Sequence, residues 1–452
     1  MIHKYKLYDT NIVLDVNSGA VHVFDQAAYD IIDYYKKENV DDIKKRFSSV
    51  YNLSVVEEAL KEIEELEKQG LLFTDDIYEQ NVPLMNRKPV VKALCLHVAH
   101  DCNMRCKYCF ASTGDFGIKR ALMDPEIGKK AIDFIINASG SRRNLEIDFF
   151  GGEPLLNMKT VKEIVSYARE KEKKYNKKFR FTITTNALLL NDENIDYINK
   201  NMNNVVLSID GRKEINDLMR IKVDGSGTYD SIIEKIKKIA ESRNQDNYYV
   251  RGTFTHKNLD FSEDVMHLAN EGFKQISVEP VVAQDGSGYE IKESDLDILF
   301  KEYEKLALEY VNRRKEGKGF NFFHYMIDLE QGPCVIKRLT GCGSGFEYLA
   351  VSPEGDLYPC HQFVGMEDFK IGNVATLEDK GLNLEIQSQF INSNIYTKDE
   401  CRKCWAKFYC SGGCAANAYQ FNKDINIPYK IGCELERKRV ECAIWIKTQE
   451  ML

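Results

Sequence analysis

The sequence predicts an α/β protein: a parallel array of six βα units, preceded by a small winged-helix-like αβ module and followed by an irregular, cysteine-rich segment. Three observations predict it. Strand-like runs and amphipathic helical stripes alternate through residues 91–315. A short hairpin pattern followed by two helical stripes occupies residues 1–80. From about residue 332 the periodicity is lost while Gly and Cys become dense.

In the first module, Ile12–Val16 and Ala20–Phe24 are β-prone runs joined by an Asn17-Ser18-Gly19 turn. Ala28, Ile31, Ile32 and Tyr35 mark one helix face, and Val56, Leu60, Ile63 and Leu66 another, closing at Gly70. Leu71–Phe73 is expected to return as a strand. Residues 81–90, with two prolines, read as a linker.

In the array, the expected strands are Val91–Val98, Leu145–Phe150, Phe179–Thr184, Val205–Ile209, Tyr248–Thr255 and Ile276–Val281. The helical stripes between them include Ile127, Ala131, Phe134 and Ile135, then Val161, Ile164, Val165 and Ala168, then Tyr229, Ile232, Ile233 and Ile236. Each strand needs a crossover helix to run the same way again, which makes the sheet parallel. Functional groups then collect at the C-terminal strand ends. Residues 316–333 read as a bridge. Residues 334–452 have too little regular structure to stand without cross-links, for which metal ions are the cytosolic option.

The 452-residue chain is 43% hydrophobic and 29% charged, a globular balance. No apolar run reaches the ~18 residues of a membrane span. MIHKYKLYDTNIVLDV lacks a signal peptide's apolar core. A cytoplasmic protein without a membrane partner is expected. The net charge is −8, and residues 1–80 alone hold 9 Lys+Arg against 17 Asp+Glu. A nucleic-acid partner is therefore not expected, because phosphate contacts dominate such affinity. The 13 cysteines make a poor disulfide framework in a reducing compartment.

Three of them form a C-x3-C-x2-C loop after the first strand of the array: Cys102, Cys106 and Cys109. Three thiolates on one short loop suit three irons of a 4Fe–4S cluster and leave the fourth iron open. Zinc, with His97 or His100 added, is the competing reading. The motif, with Tyr108 before its last cysteine, resembles the radical S-adenosylmethionine (SAM) enzymes. That resemblance implies a partial (β/α)6 radical SAM barrel. It also implies an oxygen-sensitive enzyme in which the reduced cluster cleaves SAM to a hydrogen-abstracting 5′-deoxyadenosyl radical. Carried over position by position, Gly151, Gly152, Glu153 and Pro154 form the turn receiving the SAM amino group. Ser208 and Arg220 hold its carboxylate, Thr184 and Asn186 meet the ribose, and Val281 meets the adenine.

A second group follows: Cys342, Cys360, Cys401-x2-Cys404-x5-Cys410-x3-Cys414 and Cys433. One four-thiolate zinc site is again the alternative. Cysteine by cysteine, the group resembles the SPASM extension of peptide-modifying radical SAM enzymes. This implies two auxiliary 4Fe–4S clusters, three in all. Cys401, Cys404, Cys410 and Cys433 would bind one, and Cys342, Cys360 and Cys414 the other. Cys334 either completes the latter or leaves an iron open for a substrate thiolate. Cys95 and Cys442 read as inert.

Residues 1–80 resemble the module by which maturases of ribosomally made peptides add a leader segment as an extra strand. Over nearly the whole chain, including HDCNMRCKYCFAS and YLAVSPEGDLYPCHQFVG, the resemblance is to the maturases of six-cysteine (SCIFF) peptides. It implies a Cys-rich precursor peptide partner and a low-potential reductant such as flavodoxin or ferredoxin. The implied reaction joins a cysteine sulfur to a threonine α-carbon, as in sactipeptide thioethers. Anaerobic sulfatase maturases, which make formylglycine, are the alternative. They carry an Asp base after the cysteine equivalent to Cys360, where this chain has His361, a candidate catalytic base. A non-catalytic Fe–S carrier or zinc scaffold is the competing class.

Overall fold

The computed structural model describes residues 1–80, 90–330 and 335–451. The linker expected at 81–90 therefore lies almost wholly outside the described residues, as does Cys334.

The first module is a three-stranded antiparallel sheet, β1 (Ile2–Leu7), β2 (Thr10–Asp15) and β3 (Val21–Phe24), with β2 in the centre. Helices Gln26–Ile31, Val40–Phe47 and Leu53–Lys68 close over it. Val13, Phe24, Ile31, Ile43, Val56 and Ile63 make its core. Two features differ from the sequence reading. β1 is an additional strand, and Leu71–Phe73 is not one. Phe73 has a φ of +55°, and Asp15 instead pins the following Thr74 through its N–H and hydroxyl.

The β1 edge is covered. The His3 ring stacks on Trp405 at 3.7 Å, Tyr5 donates to Glu441 O, and Tyr8 to Glu304 O. The outer edge of β3 has no strand partner among the described residues.

The larger sheet holds β4 (Ala93–His100), β5 (Ala121–Leu122), β6 (Asn144–Gly151), β7 (Lys178–Thr185), β8 (Asn204–Ser208), β9 (Tyr248–Phe254), β10 (Gln275–Pro280), β11 (Asn321–Phe322), β12 (Tyr348–Val351), β13 (Asp356–Tyr358) and β14 (Gly372–Asn373). Its order is β11-β10-β9-β8-β7-β6-β4-β12-β13-β14, with β5 beside the end of β4. The six expected strands are β4 and β6–β10, all parallel. They form the partial barrel of a radical SAM α/β fold. The crossover helices follow the expected stripes. Asp124 caps Pro125–Ala138, with Pro at the start where no N–H is needed. Asn176, in the left-handed region, ends Met158–Tyr175.

The sheet extends further than the sequence reading placed it. β11 falls in the expected bridge and pairs with β10. On the other side, β12 pairs in parallel with the first half of β4, from Tyr348↔Ala93 to Val351↔Leu96. The cysteine-rich segment thus begins as a continuation of the barrel sheet. Strands of two to four residues are too short to show a period. The segment ends in one long helix, Lys430–Met451, packed against Leu296–Lys315.

Candidate active site and cysteine groups

A cavity of about 240 Å3 opens at the C-terminal ends of β6–β10. One wall is the loop after β4 that carries Cys102, Cys106 and Cys109. That loop is held by backbone bonds to residues 219–222: Arg105 N to Ile221 O (2.8 Å) and Lys107 N to Met219 O (2.9 Å). It also rests on two glycines. A Cβ on Gly152 would lie 2.2 Å from Asp101 O, and one on Gly114 2.6 Å from the Cys102 Cβ. Asn186 Nδ2 faces the Cys102 sulfur at 3.5 Å.

Burial pushes the Cys102 thiol up to about 12, with the Glu153 charge adding to it, and the Cys106 thiol up to about 11. The three thiols also disfavour one another's ionisation.

Of the residues the resemblance assigns to SAM, Tyr108, Gly151, Gly152, Thr184, Asn186, Ser208, Arg220 and Val281 line this cavity. Glu153 and Pro154 do not. The Glu153 carboxylate points away from the cavity, into hydrogen bonds with the chain itself. It is wholly buried and accepts from Thr185 Oγ1 (2.7 Å), Asn186 N (2.8 Å) and Leu155 N (3.0 Å). It ties the end of β6 to the end of β7, and burial pushes its pKa up to about 7. Pro154 opens a 3-10 turn, Pro154–Asn157, beneath it.

Asp210, which the sequence analysis did not single out, sits at the centre of a buried polar cluster. Its fully buried carboxylate accepts from Tyr108 Oη (2.6 and 2.8 Å), Arg220 Nε (2.9 Å) and Thr253 N (3.0 Å). It therefore aims Arg220 and Tyr108 while bracing β9. The guanidinium lies 5.5 Å from the Tyr108 ring centre. Arg251 and Thr253 were also missed. Both line the cavity, and two-residue alternation along β9 puts them on one face.

His361 lines the same cavity beside Cys360. Its ring packs on Phe150 (5.2 Å) and Phe110 (5.6 Å), and its Nδ1 lies 3.3 Å from Tyr348 Oη. Burial lowers its pKa to about 4, so the imidazole is neutral. His97 and His100 are buried, 3.1 Å apart, and do not line the cavity.

The second cysteine group divides in space. The thiol of Cys360 is pushed up by burial, then by Cys414 and Cys342. Those of Cys410 and Cys433 rise to about 11 through burial, with Cys401 and Cys404 as neighbours. The structure thus brings together Cys342, Cys360 and Cys414, and separately Cys401, Cys404, Cys410 and Cys433. Among the described residues no three His, Cys, Asp or Glu side chains close round a single bare ion. These thiols are electrostatic neighbours, not a collapsed metal site. Cys95 and Cys442 are buried in the core.

These features define a SAM-dependent iron–sulfur protein. The chain matches the radical SAM superfamily over residues 96–266 and an iron–sulfur cluster-binding domain, SPASM, over residues 342–405.

A radical SAM cyclopropyl synthase, TigE, of Paramaledivibacter caminithermalis is 25% identical over 446 residues, covering 92% of this chain and 89% of that one. An uncharacterized protein of Methanocaldococcus jannaschii is 34% identical over 288 residues, 63% of this chain and 89% of that one. A cysteine-type anaerobic sulfatase-maturating enzyme of Clostridium perfringens is 24% identical, covering 72% of this chain and 89% of that one. The structure of Streptococcus suis SuiB bound to precursor peptide SuiA matches with a TM-score of 0.55 at 16% identity, over 95% of this chain and 98% of that one. The chain belongs to the radical SAM superfamily and carries a SPASM domain. Its cofactors are SAM and multiple 4Fe–4S clusters.

The residues present fit those groups. Buried thiols that resist ionisation alone need a cationic partner to become thiolates. The glycine cradle keeps the loop closed on the cavity, and Arg220 offers the planar fork that suits a carboxylate. Among the described residues no helix is long and apolar enough to cross a membrane.

Proposed function

We propose that this enzyme modifies a ribosomally made, Cys-rich precursor peptide, joining a cysteine sulfur to a threonine α-carbon. The observation that carries the reading is the pairing of β12 with β4, which sets His361, the residue after Cys360, against the cavity walled by Cys102, Cys106 and Cys109. One cysteine group walls this space, and the second begins one residue from its lining. Cys102, Cys106 and Cys109 hold the first cluster. Cys342, Cys360 and Cys414 hold an auxiliary one, and Cys401, Cys404, Cys410 and Cys433 a third.

With SAM and its cluster bound, the cofactors supply the abstraction of an unactivated hydrogen atom. The chain's own residues do the rest. Arg220, aimed by Asp210, and Ser208 bind a carboxylate. Phe110 and Phe150 keep water from the reacting carbon. Thioether formation removes one hydrogen atom from the α-carbon, one proton from the thiol and one electron, which an auxiliary cluster accepts. A base titrating near 4 is poorly matched to a thiol near 8.5. His361 therefore acts as a neutral hydrogen-bonding wall that orients the peptide. The leader adds to β3, because the β1 edge is covered and the outer β3 edge has no strand partner among the described residues. The 1–80 module thus recognises peptide, and residues 91–315 and 334–452 act on it.

The test is anaerobic incubation of the reconstituted enzyme with SAM, a reductant and a six-cysteine candidate peptide. The expected product lacks two hydrogens and one titratable thiol per turnover, with 5′-deoxyadenosine formed alongside. Loss of sulfur as sulfide would indicate formylglycine chemistry instead. Absence of 5′-deoxyadenosine under all reductants would exclude the enzyme reading.

A further inference from the structure

A lysine is buried between the two groups of SPASM cysteines. Lys398 is 5% exposed, and its Nζ donates to Gly412 O at 2.9 Å. Among the described residues no carboxylate is paired with it. Burial holds its ammonium below the ordinary lysine range, and the ionisable groups that oppose this are sulfurs: Cys401, Cys410 and Cys433 of one group, and Cys414 of the other. An ammonium stripped of water costs several kcal/mol unless an anion compensates it. A single carbonyl is not that anion.

A 4Fe–4S core held by thiolates is anionic, and its potential responds to nearby charge and hydrogen bonds. In a low-dielectric interior a fixed cation favours the state that has gained an electron. Arg437 offers a contrast. It reaches Cys404 at 3.9 Å, has Cys401 and Cys433 of the same group as electrostatic neighbours, and shares its guanidinium with Glu434. Its charge is thus compensated and confined to one group.

We propose that Lys398 is the shared counter-cation of both auxiliary clusters and raises their reduction potentials, making them sinks for the electron released at the substrate. This rests on the reading that the two cysteine groups hold clusters. Lys398 is a positioning residue: it touches neither peptide nor SAM, and acts through the clusters' charge. Its amino-group position is fixed by Gly412 O, so the cation sits at a set place between the two groups.

The experiment uses the full chain, reconstituted anaerobically, as wild type, Lys398→Met and Lys398→Arg. Iron is counted, and each cluster's midpoint is read by EPR-monitored redox titration. Wild type is expected to hold about 12 irons in three clusters. In Lys398→Met both auxiliary midpoints are expected to move down while the third stays fixed. Lys398→Arg is expected to recover most of the shift.

Unchanged auxiliary midpoints at full iron would overturn the assignment of Lys398 alone. So would a shift of all three clusters, or an arginine variant as low as the methionine one. Should Lys398→Met lose iron, Lys398→Gln, which keeps a hydrogen bond to Gly412 O without charge, carries the same comparison. Wild-type iron near 4 per chain would overturn the auxiliary-cluster reading, and this inference with it.

Discussion

Replacing Asp210 with Asn tests how the cavity is organised. The carboxylate sits at zero exposure and Arg220 at 9%, so neither charge is rescued by water. Asn preserves the shape but removes the charge and one acceptor. The Arg220 Nε bond at 2.9 Å loses its ionic partner, and either Tyr108 Oη or Thr253 N loses its acceptor. Breaking a buried pair from one side costs about 3–5 kcal/mol. An orphaned neutral donor adds about 1–3 kcal/mol. Against a total of about 5–15 kcal/mol, that is a large fraction.

Since Arg220 also braces Tyr108 on the cysteine loop, the loss falls on the SAM cavity first. The expected result is a SAM dissociation constant raised at least about tenfold, equivalent to ~1.4 kcal/mol. A urea midpoint well below wild type is expected as well. Isothermal titration with SAM and circular dichroism in urea read the two effects. A variant with wild-type SAM affinity and midpoint would refute the claim that Asp210 aims Arg220.

Three further outcomes are expected. Gly152→Ala drives a Cβ to 2.2 Å from Asp101 O, a backbone atom that cannot swing away. Overpacking of about 1–3 kcal/mol shifts the loop, and iron falls from about 12 to about 8 per chain with the auxiliary EPR signals intact; full iron would count against it. The Asp15 N to Ala20 O bond sets the β2–β3 alternation so that Val23, 48% exposed, points its N–H outward. Val23→Pro is therefore expected to weaken leader-peptide binding at least about tenfold while sparing SAM affinity, and unchanged peptide affinity by fluorescence anisotropy would exclude β3 as the docking edge. Burial, then the Glu146 charge, pushes Asp148 from 3.8 up to about 7. An acid raised on folding contributes stability that is full below pH 3.8, declines up to about pH 7 and is flat above. Asp148→Asn should flatten urea midpoints between about pH 5.5 and 7, and parallel pH profiles would disprove the shift.

The barrel strands were legible because β4 and β6–β10 carry large apolar residues at alternate positions, such as Leu145, Ile147 and Phe149 or Phe179, Phe181 and Ile183, between turn residues. The cysteine loop was legible because its spacing is local in sequence. β1 was not, because Lys4 and Lys6 alternate with Tyr5 and read as solvent-facing. Its pairing with β2 and its cover by Trp405, Glu304 and the Lys430–Met451 helix are what make IHKYKL a strand. β12 was hidden for another reason: its pairing with β4 crosses some 250 residues and no local pattern encodes it, while β13 and β14, of three and two residues, are too short to show a period. The inward direction of the Glu153 carboxylate was not legible either. Which way a carboxylate points depends on donors from β7, a different strand. The Asp210 clamp was invisible for the same cause, since Tyr108, Arg220 and Thr253 converge only after three strands have been laid side by side.

The architecture makes β4 the common reference for both halves of the chemistry. Its C-terminal end emits the loop of Cys102, Cys106 and Cys109, and its N-terminal half pairs with β12. The hairpin β12–β13 then delivers Cys360 within two residues of β13's last residue, Tyr358. Side chains on a strand alternate faces, so a one-residue slip of β12 against β4 would turn His361 away from the cavity and carry Cys360 with it. Register is protected at this joint. Lys92 pairs with Glu347 just before β12, and Lys92 N and Ala93 N both donate to Glu347 O, at 2.8 and 3.2 Å. The relative placement of the two cysteine groups is thus set by backbone pairing in one sheet, not by a flexible tether. Under the proposed thioether reaction, a substrate cysteine and a substrate α-carbon that meet the two groups would have to fit one fixed separation, and the fold itself would act as a ruler for that cross-link.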